Sequence, residues 1–154
     1  GFTGTFPSLA ARCLRKDFSY TGVEYGNYDT YKVRKTLDNG CPLFVCSVPR
    51  KGFLNYDLKA AHGWNIDGYI LHRYDLIKRY YKNQELIKTT KESESTFHVH
   101  CDFGWEDGLN NGYFTSGIFD LSAGQDWDGN RDSTITTNYN WYLKTITYDA
   151  PNKK

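Results

Sequence analysis

The sequence contains no methionine, only four prolines, and no excess of charge of either sign. Its 19 basic and 18 acidic residues give a formal net charge of +1, so no long-range field draws the whole chain toward nucleic acid or a lipid surface. Its apolar runs are short, whereas a transmembrane helix needs about 20 consecutive apolar residues. We therefore expect no nucleic-acid partner and no membrane span.

Aromatic side chains are abundant instead, at 17% of the 154 residues. The length fits a single domain, or the sheet-rich part of a larger catalytic domain, with one hydrophobic core. Aromatic residues favour strands, because their side chains pack well on a pleated surface. This composition predicts a β-rich chain.

Two helices are predicted near the start of the chain. The first begins within Phe6-Pro7-Ser8, where Ser8 can cap it, and continues to Phe18; the second is capped by Asp29 and stopped by the Asn-Gly pair at 39–40. Residues 20–28 contain two glycines between the helices and are predicted to form a loop.

The remainder of the chain is predicted to be β-structure. The predicted strands cover residues 42–46, two or three strands within 63–81, and then 97–101, 113–119 and 139–148, while 83–85 resembles a hairpin connection and 88–95 a charged loop or edge strand. Two helices followed by about six strands predict an α+β fold with a largely antiparallel sheet.

Two segments carry candidate chemistry. Residues 61–69 read Ala-His-Gly-Trp-Asn-Ile-Asp-Gly-Tyr, and residues 97–105 read Phe-His-Val-His-Cys-Asp-Phe-Gly-Trp, with Asn-Gly-Tyr-Phe at 111–114. The first resembles the histidine motif of the streptopain-like cysteine peptidases, which belong to the papain-like clan. The second resembles their His-Cys-Asn-Trp-Gly-Trp motif, and the likeness extends over roughly residues 8–148.

The resemblance implies a papain-like fold of which this chain supplies the C-terminal, sheet-rich half. His62 would be the general base of peptide-bond hydrolysis. Asp102 stands where the family has the asparagine that orients the imidazole, and Phe103 stands where the family has a shielding tryptophan. Trp64 and Trp105 would support the site. No cofactor and no metal are implied.

The family's nucleophilic cysteine has no counterpart here. It precedes the matching segment, so the resemblance implies that an N-terminal part or a separate chain bears it, and that this chain alone is inactive. Residues 70–96 are interpreted as a hairpin inserted between the two motif strands. The substrate would be a peptide or protein, and the location secreted, periplasmic or at the cell surface.

The four cysteines of the chain are poorly placed to be nucleophiles. Cys13 is predicted in a helix and Cys46 in a strand, and Cys101 precedes Asp102, so its side chain should point to the opposite sheet face. Neither Cys41 nor any other belongs to a CxxC pair, although the even count leaves disulfides open.

Two other functions remain open. The chain can be a catalytically inactive homologue that acts as a peptide-binding, protein-binding or inhibitory module. It can also be an unrelated β-rich surface protein whose tyrosine-rich hairpin contacts glycan or protein. The basic residues of this hairpin, from Arg73 to Lys82, are interpreted as a solvated face, since acidic residues dilute them.

Metal binding is considered for two segments and assigned to neither. His98 and His100 share one strand face, but no third ligand accompanies them. Residues 126–132 alternate oxygen-bearing side chains like a calcium loop, but they lack the bidentate glutamate at the expected distance.

Overall fold

The computed structural model describes residues 6–51, 55–57 and 60–149. The helices are α1 (Pro7–Lys16) and α2 (Thr30–Asp38), and a short 3₁₀ helix spans Glu106–Gly108. The strands are β1 (Thr21–Asn27), β2 (Leu43–Ser47), β3 (Arg50–Lys51), β4 (Asn55–Tyr56), β5 (His62–Lys82), β6 (Glu85–Asp102), β7 (Gly112–Thr115) and β8 (Lys144–Asp149).

Six of these strands form one open antiparallel sheet in the order β1-β8-β2-β5-β6-β7, and β3 pairs with β4 in a separate ribbon. The prediction of an α+β fold with two helices and a six-stranded antiparallel sheet is confirmed. Within the described ranges, neither helix is long and apolar enough to cross a membrane.

The predicted helix cap is confirmed for α2 and wrong for α1. Asp29 caps α2, because its Oδ1 accepts hydrogen bonds from the backbone N–H of Tyr31 and Lys32 at 2.8 and 3.2 Å. Helix α1 begins at Pro7, within the predicted segment 6–8, but Phe6 and not Ser8 is at the cap position, and no side chain caps the helix. A proline in the first turn removes only an N–H that has no intrahelical acceptor.

The predicted loop at 20–28 is wrong, because residues Thr21–Asn27 form the edge strand β1. Val23 is the one buried residue of this strand, and the sequence Thr-Gly-Val-Glu-Tyr-Gly-Asn shows little of the apolar-polar alternation of a half-buried strand. The strand exists because β8, at the other end of the chain, supplies its hydrogen-bond partner.

The largest element is the β5–β6 hairpin. Residues 63–81, predicted as two or three strands, lie in the single strand β5, which pairs with β6 from Asn65↔Asp102 to Lys82↔Glu85. Asn83 and Gln84 form the turn with positive φ, as a two-residue hairpin loop requires. Residues 88–95 belong to β6, and residues 70–96 form the outer part of the hairpin.

Each face of the sheet carries a cluster of buried side chains. We call the side that packs against α2 the α2 face and the other the α1 face. The α2 face carries the larger cluster, with Val33, Leu43, Val45, Trp64, Ile66, Val99, Cys101, Phe103, Phe114, Phe119, Leu121 and Tyr139. The α1 face carries Ala11, Val23 and Ile146, with Leu14 and Phe44 packed against them. Because side chains alternate along a strand, these two clusters determine which motif residues meet.

Candidate functional site

His62 lies at the first position of β5, on the α2 face, with its side chain half-buried. Its Nε2 is 3.0 Å from the backbone oxygen of Phe103. A carbonyl oxygen only accepts hydrogen bonds, so Nε2 carries the hydrogen and the lone pair of the neutral ring is on Nδ1. Among the described residues, Nδ1 has no hydrogen-bond partner. The bond at Nε2 therefore orients the ring, and Nδ1 can accept a proton.

Four aromatic rings surround His62. The Trp105 ring is closest, with ring centroids 4.9 Å apart and an interplanar angle of 26°. The centroids of Tyr139, Phe103 and Trp64 follow at 5.8, 6.0 and 6.3 Å. The structure thus brings the three predicted supporting residues to the imidazole and adds Tyr139, for which the sequence has no local motif.

Burial lowers the pKa of His62 below its ordinary value, and the hydrogen bond to the Phe103 carbonyl only partly opposes this effect. The charged imidazolium is disfavoured because the aromatic rings replace water around it. His62 is therefore neutral at neutral pH, which is the form a general base needs.

Asp102 is not brought to His62. Asp102 lies on the α1 face, because it follows Cys101, which is buried on the α2 face. Its Oδ1 accepts hydrogen bonds from the backbone N–H of Gly104 at 3.0 Å and from Nδ2 of Asn111 at 2.8 Å. The partner of the imidazole is the backbone of the next residue, Phe103, in place of the carboxylate that the resemblance implies.

Asn111 connects Asp102 to that backbone. Its Oδ1 accepts a hydrogen bond from the Phe103 N–H at 2.8 Å, while its Nδ2 donates to Asp102. We call Asp102 and Asn111 the clasp, since together they hold the turn that presents the Phe103 carbonyl to His62. Sequence reasoning did not assign Asn111 a role, although it begins the Asn-Gly-Tyr-Phe segment.

Three of the four cysteines have a raised pKa, the opposite of an activated nucleophile, the fourth, Cys41, is buried, and all four are unpaired. Burial raises the pKa of Cys46 to about 11, and Cys46 faces away from His62 because it neighbours Ser47, the residue opposite His62. Cys101 is completely buried, which raises its pKa well above the ordinary range. A hydrogen bond to Asp17 raises the pKa of Cys13.

The histidines at 98 and 100 do not converge on a common site. His98 Nε2 is 3.3 Å from both Asp126 Oδ2 and Thr115 Oγ1. His100 Nδ1 is instead 2.6 Å from Asp67 Oδ1. In the part of the chain that the structure describes, no group of three or more His, Cys, Asp or Glu side chains is arranged to hold a metal ion.

Comparisons with known proteins returned no match: no family model matches the sequence, and neither the curated proteins nor the solved structures show a significant similarity. The fold and the site define an α+β domain with an oriented, aromatic-enclosed histidine at the start of a long hairpin.

Proposed function

We propose that this chain is the C-terminal part of a streptopain-like cysteine peptidase, with His62 as its general base. The observation that carries the proposal is the state of the imidazole: Nε2 is held by the Phe103 carbonyl, and Nδ1 has no hydrogen-bond partner in the part of the chain that the structure describes. The nucleophilic cysteine is supplied by a polypeptide segment outside this sequence. This segment and a peptide or protein substrate are the proposed partners.

In the proposed reaction, the cysteine thiol gives its proton to Nδ1 of His62, and the thiolate attacks the carbonyl carbon of the peptide bond. The imidazolium then returns the proton to the leaving amine, and water hydrolyses the acyl-enzyme. While the ring is charged, its hydrogen bond to the Phe103 oxygen becomes charge-assisted and stronger. The backbone carbonyl would thus stabilise the imidazolium in the role that a side chain has in the family.

The properties of three of the four thiols support an external nucleophile. Thiolate is the reactive form of cysteine, and a catalytic thiol has a lowered pKa. The pKa values of Cys13, Cys46 and Cys101 are all raised, each by burial or a neighbouring carboxylate. A secreted, periplasmic or cell-surface location would accord with this peptidase family.

The test is alkylation by a peptidyl epoxide, which reacts with activated cysteines. The chain is incubated with the polypeptide encoded immediately upstream of Gly1, and the adduct is located by mass spectrometry. We expect an adduct on a cysteine of the added polypeptide. Since a general base contributes about 10²–10⁴-fold, His62→Ala should slow labelling by at least the lower figure.

His72→Ala is the matched control, because His72 lies on the same strand with an exposed side chain. This variant should label at the unmodified rate. Labelling that is absent, or that proceeds equally fast in His62→Ala, would contradict the proposal.

A non-catalytic binding module is the second candidate function, and the position of Asp102 favours it. This carboxylate is part of the clasp, where it accepts hydrogen bonds from Gly104 and Asn111, and it lies on the face opposite His62. The aromatic rings around His62 then remain as a contact surface for a peptide. Under this alternative the chain and the upstream polypeptide bind peptides without cleaving them, and the epoxide labels no cysteine.

A further inference from the structure

The outer end of the β5–β6 hairpin presents apolar side chains to solvent. We call residues 79–88 the hairpin tip. Tyr81, Leu86 and Ile87 have relative exposures of 60%, 54% and 62%, and Tyr80 follows at 45%. Exposed aliphatic residues next to exposed tyrosines are unusual for a solvated turn and mark an interaction site.

The hairpin tip extends away from the rest of the protein. Strand β2 pairs with β5 only up to Ile66, and β7 pairs with β6 only between His98 and Cys101. At about 3.3 Å per residue, the stretch from Leu71 to Lys82 extends the ribbon by roughly 36 Å. The hairpin tip can therefore reach a flat surface without β1, β2, β7 or β8 touching it.

Two lysines below the hairpin tip form ion pairs within the ribbon. Lys78 pairs with Glu92 at 2.6 Å, and Lys91 pairs with Asp75 at 2.8 Å. Glu92 and Asp75 are therefore occupied by lysines below the hairpin tip, and Glu94 accepts a hydrogen bond from the Tyr74 hydroxyl at 3.3 Å.

Cations predominate at the hairpin tip itself. Arg79 and Lys82 have no ion-pair partner among the described residues, and Lys88 lies over the Tyr80 ring, with its Nζ 5.7 Å from the ring centroid. Glu85 is the only acidic residue between positions 79 and 88. The tip is basic, whereas the chain as a whole has a net charge of only +1.

We propose that the hairpin tip docks on the surface of an anionic lipid membrane. Leu86, Ile87 and Tyr81 would enter the interface between headgroups and acyl chains, where amphipathic aromatic rings are favoured. Arg79 and Lys82 would contact the phosphates of anionic headgroups. A nucleic acid would also attract the cations, but it offers no apolar layer for the two aliphatic side chains.

The test is flotation of the full chain with vesicles of phosphatidylcholine containing one quarter phosphatidylglycerol, beside vesicles of phosphatidylcholine alone. We expect binding to the anionic vesicles that weakens as salt is added. The double variant Leu86→Thr with Ile87→Thr keeps strand propensity but removes the aliphatic groups. It should lower the vesicle partition coefficient by at least roughly tenfold.

The matched control is Ile118→Thr with Phe18→Thr, which removes equally exposed apolar side chains outside the hairpin and should bind like the unmodified chain. Circular dichroism of each variant establishes that it is folded. The proposal is overturned if the unmodified chain does not float with anionic vesicles, or if the tip variant floats as well as the control. Tip-dependent binding to a single-stranded oligonucleotide with no vesicle binding would also overturn it.

Discussion

The two ends of the β5–β6 hairpin consist of the same two strands, yet their surroundings differ completely. At the inner end, β2 and β7 flank the hairpin, and Trp64 and Val99 are buried in the core. At the outer end no further described strand pairs with the ribbon, and both of its faces are exposed. The neighbouring strands therefore decide the chemistry of each end. Burial lowers the pKa of His62 at the inner end, whereas, in the described ranges, the lack of covering strands leaves apolar and basic groups accessible at the outer end.

The largest effect should come from removing an inner-end ring. Trp64 is buried and contacts the rings of Phe103, Phe119 and Tyr139. Trp64→Ala should lower the free energy of unfolding by about 3–5 kcal/mol because it leaves a large cavity. Tyr74→Ala, on the exposed part of the same strand, should cost less than about 1 kcal/mol. Urea unfolding measures both, and equal losses would refute the contrast between the ends.

The clasp predicts an intermediate effect. Asn111→Ala leaves the Phe103 N–H without its acceptor and should cost about 1–3 kcal/mol. Asn111→Ala should also change the pKa of His62, as measured by NMR titration, because the Phe103 carbonyl is no longer held in place.

Asp102→Asn is the matched control for Asn111→Ala. An amide oxygen can still accept both hydrogen bonds of Asp102, so the His62 pKa should stay where it is. If Asp102→Asn lowered the His62 pKa strongly, the carboxylate would act directly on the ring, and the role assigned to the clasp would be wrong.

A smaller effect is expected at Gly63, which adjoins His62. A Cβ at Gly63 would lie 2.3 Å from Cζ of Phe44, so Gly63→Ala should displace that ring and cost about 1–2 kcal/mol. Gly26→Ala, with no atom within 4 Å of the added Cβ, should cost less. Adding Phe44→Leu to Gly63→Ala should reduce the combined loss below the sum of the two single losses. Strict additivity would argue against the contact.

The smallest effect concerns pH. The folded-state pKa of His62 is lowered, so the unfolded chain binds its proton first as the pH falls. The contribution of neutral His62 to the free energy of unfolding is fully present above the ordinary pKa of about 6.5. This contribution is lost as the pH falls from there toward the folded-state pKa. Urea unfolding of the unmodified chain and of His62→Gln should show a difference in stability that shrinks on acidification. A difference that grows instead would contradict the lowered pKa.

The elements that were predicted correctly have a local cause. Asp29 caps α2 through its own side chain, and the strand at 97–101 alternates apolar and polar residues. Strand β1 was missed because its pairing partner lies at the opposite end of the chain. Strand β5 was divided into several predicted strands because its outer half has neither the alternation of a half-buried strand nor a neighbour beyond β6.

The candidate site likewise has a part that local motifs predicted and a part that only the structure revealed. His62 and its supporting rings at 64, 103 and 105 came from two short motifs, and the structure brings them together. Tyr139 joins them from a distant loop. The role of the Phe103 carbonyl could not be predicted, because every residue has a carbonyl group and only its position distinguishes this one.

The sequence by itself determined the α+β class, the antiparallel hairpin and the histidine with its aromatic neighbours, because propensity, alternation and short motifs act over a few residues. The tertiary structure decided which face each motif residue occupies. It placed Asp102 on the face opposite His62, gave the imidazole a backbone partner, and left the hairpin tip exposed. The physical reason is that sheet register and burial depend on contacts between distant segments, which no local pattern records.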